Sequence, residues 1–139
     1  MKKDRKKTLE HLKGVVIAVD FDGTVVSHEF PKIGRDIGAG PVLRELNRVG
    51  AKLILNTMRG EGDLERALFW FVENGVELWH HRTNPTQKTW TDSPKTYAQI
   101  YVDDAAIGVP LKQDAKWERP YVDWIRVRAM LCDWRQYGM

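Results

Sequence analysis

Two aspartates at i and i+2, Asp20 and Asp22, follow directly on five apolar residues, Val15 to Val19. Gly23 and Thr24 come next, so the stretch from Gly14 reads GVVIAVDFDGT. Side chains two apart share one side of the chain only while the backbone stays extended, and Gly23 permits a tight turn immediately beyond. Two later apolar runs also end in chemistry-bearing residues: Ala51–Asn56 in Thr57, and Ala98–Val102 in Asp103 and Asp104. A carboxylate in such a place can act as a nucleophile, carry a proton or ligate a hard cation. Ligands of open α/β sheets bind at the carboxyl ends of the strands, where this spacing sets the acids.

The elements that must position these residues follow from the apolar pattern. Val15–Val19 is continuous and rich in β-branched residues, as in a strand buried on both faces of a parallel sheet. Pro41 opens a helix, Val42, Leu43, Leu46 and Val49 supply its period, and Gly50 closes it. Ala51–Asn56 is read as the second strand. Asp63 is the expected N-cap of a helix running to Asn74, with Leu64, Ala67, Leu68, Phe71 and Val72 as its apolar face and Gly75 as its stop. Val76–Trp79 is read as a third strand and Ala98–Val102 as a fourth. His80–Pro94 lacks apolar periodicity and reads as a long polar loop, a length that is more often functional than not.

Thr8–Leu12 is expected to form a helical turn before the first strand. Val25–Gly40 is rich in Gly and Pro and reads as a loop over the site, with a short hairpin around Val25 and Val26. Tyr121–Tyr137 places Tyr121, Trp124, Ile125, Leu131 and Trp134 at helical spacing, interrupted by Arg128. That aromatic stripe packs either on the sheet or against a second subunit, which leaves a homodimer open. The order strand, helix, strand, helix, strand, strand is the α/β pattern with a parallel sheet.

Composition bounds the rest. A chain of 139 residues suits one domain with a sizeable core. Its 42% hydrophobic and 29% charged content is that of a soluble globular protein. Much of the net charge of +3 lies in the opening MKKDRKK, so residues 1–13 are read as a basic extension and 14–139 as a single domain. Such a run is usually a solvated terminus, and no basic stripe interleaved with aromatics marks a nucleic-acid face elsewhere. A single cysteine, Cys132, excludes an intramolecular disulfide and fits a reducing cytoplasm. No apolar run approaches the roughly 20 residues of a membrane span, so no membrane partner is expected. His28 and the adjacent His80 and His81 lack zinc-ligand spacing, and neither a nucleophile elbow, a P-loop nor a dinucleotide fingerprint is present.

The segment DFDGT resembles the first motif, D-x-D-x-T/V, of the haloacid dehalogenase-like (HAD) superfamily of phosphohydrolases. The family pattern continues with a hydroxyl residue after the second strand, matched by Thr57 in LILNT. A lysine upstream of the last motif is matched by Lys95 in SPK, and an acidic pair after the fourth strand by Asp103 and Asp104 in IYVDD. The resemblance spans roughly residues 14 to 110 and implies a Rossmann-like three-layer sandwich around a central parallel sheet. It implies Asp20 as the nucleophile that forms an aspartyl-phosphate and Asp22 as the general acid and base. It implies Mg²⁺ held by Asp20, the backbone carbonyl of Asp22, and Asp103 or Asp104. Thr57 and Lys95 would hold the transferring phosphoryl oxygens. Lys88 competes with Lys95 for that role, and Arg59 reaches either the substrate phosphate or an acid.

Neither gap between the motifs holds a cap domain, so the chain resembles small capless bacterial and phage-type members. Those relatives often carry Arg after the acidic pair, where this chain has Ala105. The expected function is a Mg²⁺-dependent cytoplasmic phosphomonoesterase acting on a phosphorylated small molecule. Two rivals stand beside it: a nucleic-acid end phosphatase, supported only by the basic N-terminus, and a HAD-fold binding or regulatory domain without useful turnover. Glu29–Gly38 and His80–Pro94 are the expected substrate loops. Trp79, Trp90 and Tyr97 either stack on substrate or pack in the core.

Overall fold

The computed structural model describes residues 7–136 of the chain; the first six basic-rich residues lie outside them. A 3₁₀ turn at Glu10–Leu12 leads into strand β1, Val16–Val19, buried along its whole length. The chain continues through α1 (Ala39–Val49), β2 (Lys52–Leu55), α2 (Glu61–Glu73), β3 (His80–His81) and β4 (Ile100–Val102). A short antiparallel hairpin of β5 (Leu111–Lys112) and β6 (Tyr121–Val122) precedes α3 (Trp124–Asp133). The four longer-range partners form one parallel sheet in the order β3-β2-β1-β4. Strand β1 is central, pairing Ala18 with Ile54 on one side and with Tyr101 on the other. This is an α/β, Rossmann-like architecture with no separate cap domain.

The alternation of a strand sends successive side chains to opposite faces, and the two faces are covered differently. Ile17, Val19, Leu53, Leu55 and Val102 join the main core with side chains from all three helices. In that core lie Leu43 and Leu46 of α1, Trp70 and Phe71 of α2, and Trp124, Val127 and Leu131 of α3. Val16, Ala18 and Ile54 point the other way, into a small cluster with Ala98 and Trp79. Helices therefore cover one face, and the third layer is irregular chain: the segment 82–97, with a 3₁₀ turn at Gln87–Thr89.

That segment is polar in sequence yet partly interior. Asn84, Gln87 and Thr96 are buried and supply the hydrogen bonds that regular structure would otherwise provide. The Asn84 amide donates to the Tyr97 carbonyl (3.0 Å), and its Oδ1 accepts from the Thr86 N–H (2.9 Å). The Gln87 amide donates to the carbonyls of Ser93 and Lys95, and its Oε1 accepts from the Tyr97 N–H (2.8 Å). Trp90 stays largely exposed and packs edge-on against Tyr97, while Trp79 joins the small cluster.

Several element boundaries differ from the sequence expectation for identifiable reasons. The third strand is His80–His81 rather than Val76–Trp79. The Val76 N–H is used to close α2 on the Phe71 carbonyl (2.9 Å), and the Glu77 N–H goes to Asn47 Oδ1 (2.7 Å). Sheet pairing begins only at Trp79, whose N–H meets the Leu53 carbonyl (2.7 Å). Helix α2 starts before Asp63, its N-cap being Gly60, and buries Trp70 where Val72 was expected, leaving Val72 exposed. Tyr121 belongs to β6, not to the last helix, which is capped by the Asp123 side chain accepting from the Arg126 N–H. Ile125 is exposed on that helix, and Arg128 makes a two-pronged contact with Glu45 of α1, both bonds 2.8 Å. Among the described residues no helix is long and apolar enough to cross a membrane.

Candidate functional site

Strands β1 and β4 are adjacent and parallel, so the residues just beyond their carboxyl ends meet. Asp20 follows β1, and Asp103 and Asp104 follow β4 in register, Val19 being paired with Val102. One carboxylate oxygen from each of these three acids lies within 4.8 Å of the others. They open into a pocket of about 400 Å³ that is also lined by Asp22, Thr57 and Arg59.

Thr24 ties the two acidic strand ends together. Its buried hydroxyl donates to Asp20 Oδ2 (3.0 Å) and accepts the Asp104 N–H (3.0 Å). Its carbonyl receives the buried indole N–H of Trp124 (2.6 Å), which anchors α3 beneath the motif. The turn that brings Thr24 back requires Gly23, at φ +81°. A Cβ there would also sit 2.4 Å from Asp104 Oδ2, so glycine admits both the turn and the neighbouring carboxylate. Thr24 was visible as part of D-x-D-G-T, but its bridging of two motifs was not.

Crowding of acids has an electrostatic cost. Burial pushes the Asp20 carboxyl up to about 7, aided by the charge of Asp103, against the opposing hydrogen bonds from the Phe21 N–H and the Thr24 hydroxyl. A cation among the three carboxylates would remove that cost. The donor set is all oxygen, which suits a hard ion such as Mg²⁺. The residues that would hold it are Asp20, Asp103 and Asp104; Asp22 lines the same pocket, but both its carboxylate oxygens are engaged by Arg59.

Asp22 is held by Arg59. The guanidinium Nε donates to Asp22 Oδ2 (2.8 Å) and Nη2 to Oδ1 (2.7 Å). The remaining donors of Arg59 reach the backbone carbonyls of Pro31 (3.2 Å), Asp63 (3.2 Å) and Lys32 (2.8 Å). Arg59 is buried, and every donor it has is committed to protein. It is therefore a clamp on Asp22 and on the overlying loop, with no donor left over for a ligand in the pocket. Thr57 does line the pocket, and its Oγ1 accepts the Arg59 N–H (3.1 Å), leaving its own hydrogen to donate.

Lys95 is not brought to this pocket. Its ammonium lies 5.3 Å from the centre of the Tyr101 ring, beside the middle of β4 rather than beyond its end. Lys88 lines a different groove, with His80 and Asp92. Of the two loops expected to contact substrate, Glu29–Gly38 contributes Phe30 to the rim, next to His28, whereas His80–Pro94 contributes nothing to it. The hairpin expected near Val26 is present as a bridge between Val26 and Asp36 and a Ser27 N–H to Arg35 carbonyl bond (3.0 Å). Arg119, from the connection between β5 and β6, completes the rim. No helical or strand pattern marked it in the sequence.

No protein-family model matches the chain, and no curated protein matches it. Among solved structures it is similar to a conserved protein from Bacteroides thetaiotaomicron, with a TM-score of 0.72 and 28% sequence identity over 91% of this chain and 96% of that one. The likeness therefore extends over nearly the whole of both chains and supports the fold described above.

Proposed function

We propose that the chain is a Mg²⁺-dependent phosphomonoesterase of the HAD type, acting through an aspartyl-phosphate on Asp20. The observation that carries this reading is the convergence of Asp20, Asp103 and Asp104 from two adjacent strand ends to within 4.8 Å. Mg²⁺, when bound, would neutralise phosphoryl oxygens that these carboxylates would otherwise repel. Asp20 attacks phosphorus while the bond to the leaving oxygen breaks and Asp22 gives that oxygen a proton. Water, losing its proton to Asp22, then attacks the phosphorus of the aspartyl-phosphate, releasing phosphate and regenerating Asp20. The Thr24 hydroxyl orients Asp20 throughout, and Thr57 donates to a phosphoryl oxygen. A carboxylate offers about four acceptor sites, so the Arg59 contacts leave Asp22 room to take a proton.

The test is hydrolysis of phenyl phosphate with Mg²⁺ and with EDTA, comparing wild type with Asp20→Asn. Metal-dependent turnover that vanishes in the variant is the expected result; turnover that persists in Asp20→Asn would remove its role as nucleophile.

A second reading, a HAD-fold binding or regulatory domain, is favoured by the placement of both candidate lysines outside the pocket. Retained Mg²⁺ binding with no turnover across a panel of phosphoesters would select it.

A further inference from the structure

The acidic pocket holds four aspartates and two guanidiniums, those of Arg59 and Arg119. A metal held by three carboxylates would be largely neutralised by them, so an anionic substrate still calls for a side-chain cation aimed at it, and Arg59 has no donor left to offer. Arg119 is in the opposite condition. It is exposed at the rim, and among the described residues no hydrogen bond or ion pair engages its guanidinium.

The chain on either side of Arg119 is nonetheless anchored. The Glu118 N–H bonds to the Ala115 carbonyl (3.0 Å), and the Gln113 amide donates to the Glu118 carbonyl. The Glu118 carboxylate pairs with Arg35 of the loop over the site, and Arg35 also holds Asp114 (2.9 Å). Pro120 follows, which confines the backbone of Arg119 to extended conformations. Two residues further, the Val122 N–H bonds to the Gly23 carbonyl (3.0 Å), joining the hairpin to the turn between Asp22 and Thr24. A planar fork carried on an anchored segment, unpaired at the mouth of an acidic pocket, suits a phosphoryl group.

We propose that Arg119 binds the phosphoryl oxygens of the substrate, reaching in from the β5–β6 connection. The assignment rests on the phosphomonoesterase reading and gives it the cation that neither Lys88 nor Lys95 provides.

The experiment measures phenyl phosphate turnover with Mg²⁺ for wild type, Arg119→Ala, Arg119→Lys and the neighbouring surface control Lys116→Ala. Phenyl phosphate carries no anionic group but the phosphoryl, so any specific loss reports on that contact. Arg119→Ala should lose at least tenfold in kcat/KM, Arg119→Lys should recover part of it, and Lys116→Ala should stay within threefold of wild type. Arg119→Ala within threefold of wild type, or a loss matched by Lys116→Ala, would overturn the proposal while leaving the phosphatase reading intact. If wild type turns over no phosphoester, the phosphatase reading fails separately, and calorimetry of inorganic phosphate with Mg²⁺ decides on Arg119. Binding weakened at least tenfold by Arg119→Ala would support the contact. Equal binding by the two proteins, or none by wild type, would overturn it.

Discussion

Arg59 grips Asp22 through two parallel hydrogen bonds, 2.8 and 2.7 Å long, with its guanidinium wholly enclosed by protein. The pair fixes an acid of the site from one side and the loop at Pro31 and Lys32 from the other.

Removing the guanidinium leaves a carboxylate and three backbone carbonyls without their donors. Arg59→Ala should cost about 3–5 kcal/mol in urea denaturation, the usual penalty for orphaning a buried charge. Arg59→Lys should recover only part of that, because one ammonium cannot span two carboxylate oxygens and three carbonyls together.

The acidic cluster should make the chain more stable when a divalent cation is supplied. At a hundredfold excess over Kd, Mg²⁺ should add about 2.7 kcal/mol, or on the order of 10 °C in Tm, reversed by EDTA. Asp103→Asn and Asp104→Asn should each lose most of the shift, and differential scanning calorimetry reads this without any assay of activity.

Gly23 offers a sharper probe, because it can be compared with Gly38. Both have positive φ, +81° and +93°, but a Cβ on Gly38 meets nothing, whereas one on Gly23 meets Asp104. Each alanine variant should lose about 1–2 kcal/mol from backbone strain. Only Gly23→Ala should also weaken Mg²⁺ binding, by displacing Asp104; equal Mg²⁺ affinity in the two variants would refute the close contact.

Asp20 was legible because a buried parallel strand announces itself as an unbroken apolar run; Asp103 follows a mainly apolar segment, Ala98–Val102, broken by Gln99. Thr57 lies just past the apolar stretch Leu53–Leu55. The sequence left Arg59 open between a phosphate and an acid, and expected Lys95 at the site; where each lies depends on tertiary partners. Five residues before β4, Lys95 lies with Tyr101, which is paired with Ala18 on the face away from the helices. Arg59 is absorbed by Asp22 and three carbonyls that converge only on folding. His80–Pro94 read as a long polar loop because it carries no apolar period. Asn84 and Gln87 within it, and Thr96 just beyond, are interior and satisfy backbone groups of the segment. Arg119 had no signal at all, since short two-residue strands such as β5 and β6 leave almost no trace in apolar patterning.

The Glu45–Arg128 pair ties α1 to α3 and should contribute to the pH dependence of stability. The Arg128 hydrogen bonds hold the Glu45 carboxyl below its ordinary value of 4.5. A depressed folded-state value stabilises the fold above the unfolded one, and the contribution is lost as pH falls through the folded value. Glu45→Gln should therefore be less stable than wild type at pH 7, and the gap in Tm should narrow steadily below about pH 4.5. A gap that stays constant with pH would mean the pair acts through packing alone.

Thr24 and Asp104 are 80 residues apart in the chain and joined through the Thr24 hydroxyl, which accepts the Asp104 N–H (3.0 Å) and lies 3.4 Å from Asp104 Oδ1. Closing so long a loop is slow, and contacts of this kind form late in folding. The strand synthesised first must therefore wait, its central position half unpaired, until β4 emerges to complete the sheet beside it. Cation binding, which needs both halves, should accordingly leave the refolding rate almost untouched and act by slowing unfolding. For this chain the ion would be a lock on the finished fold, not a template for making it.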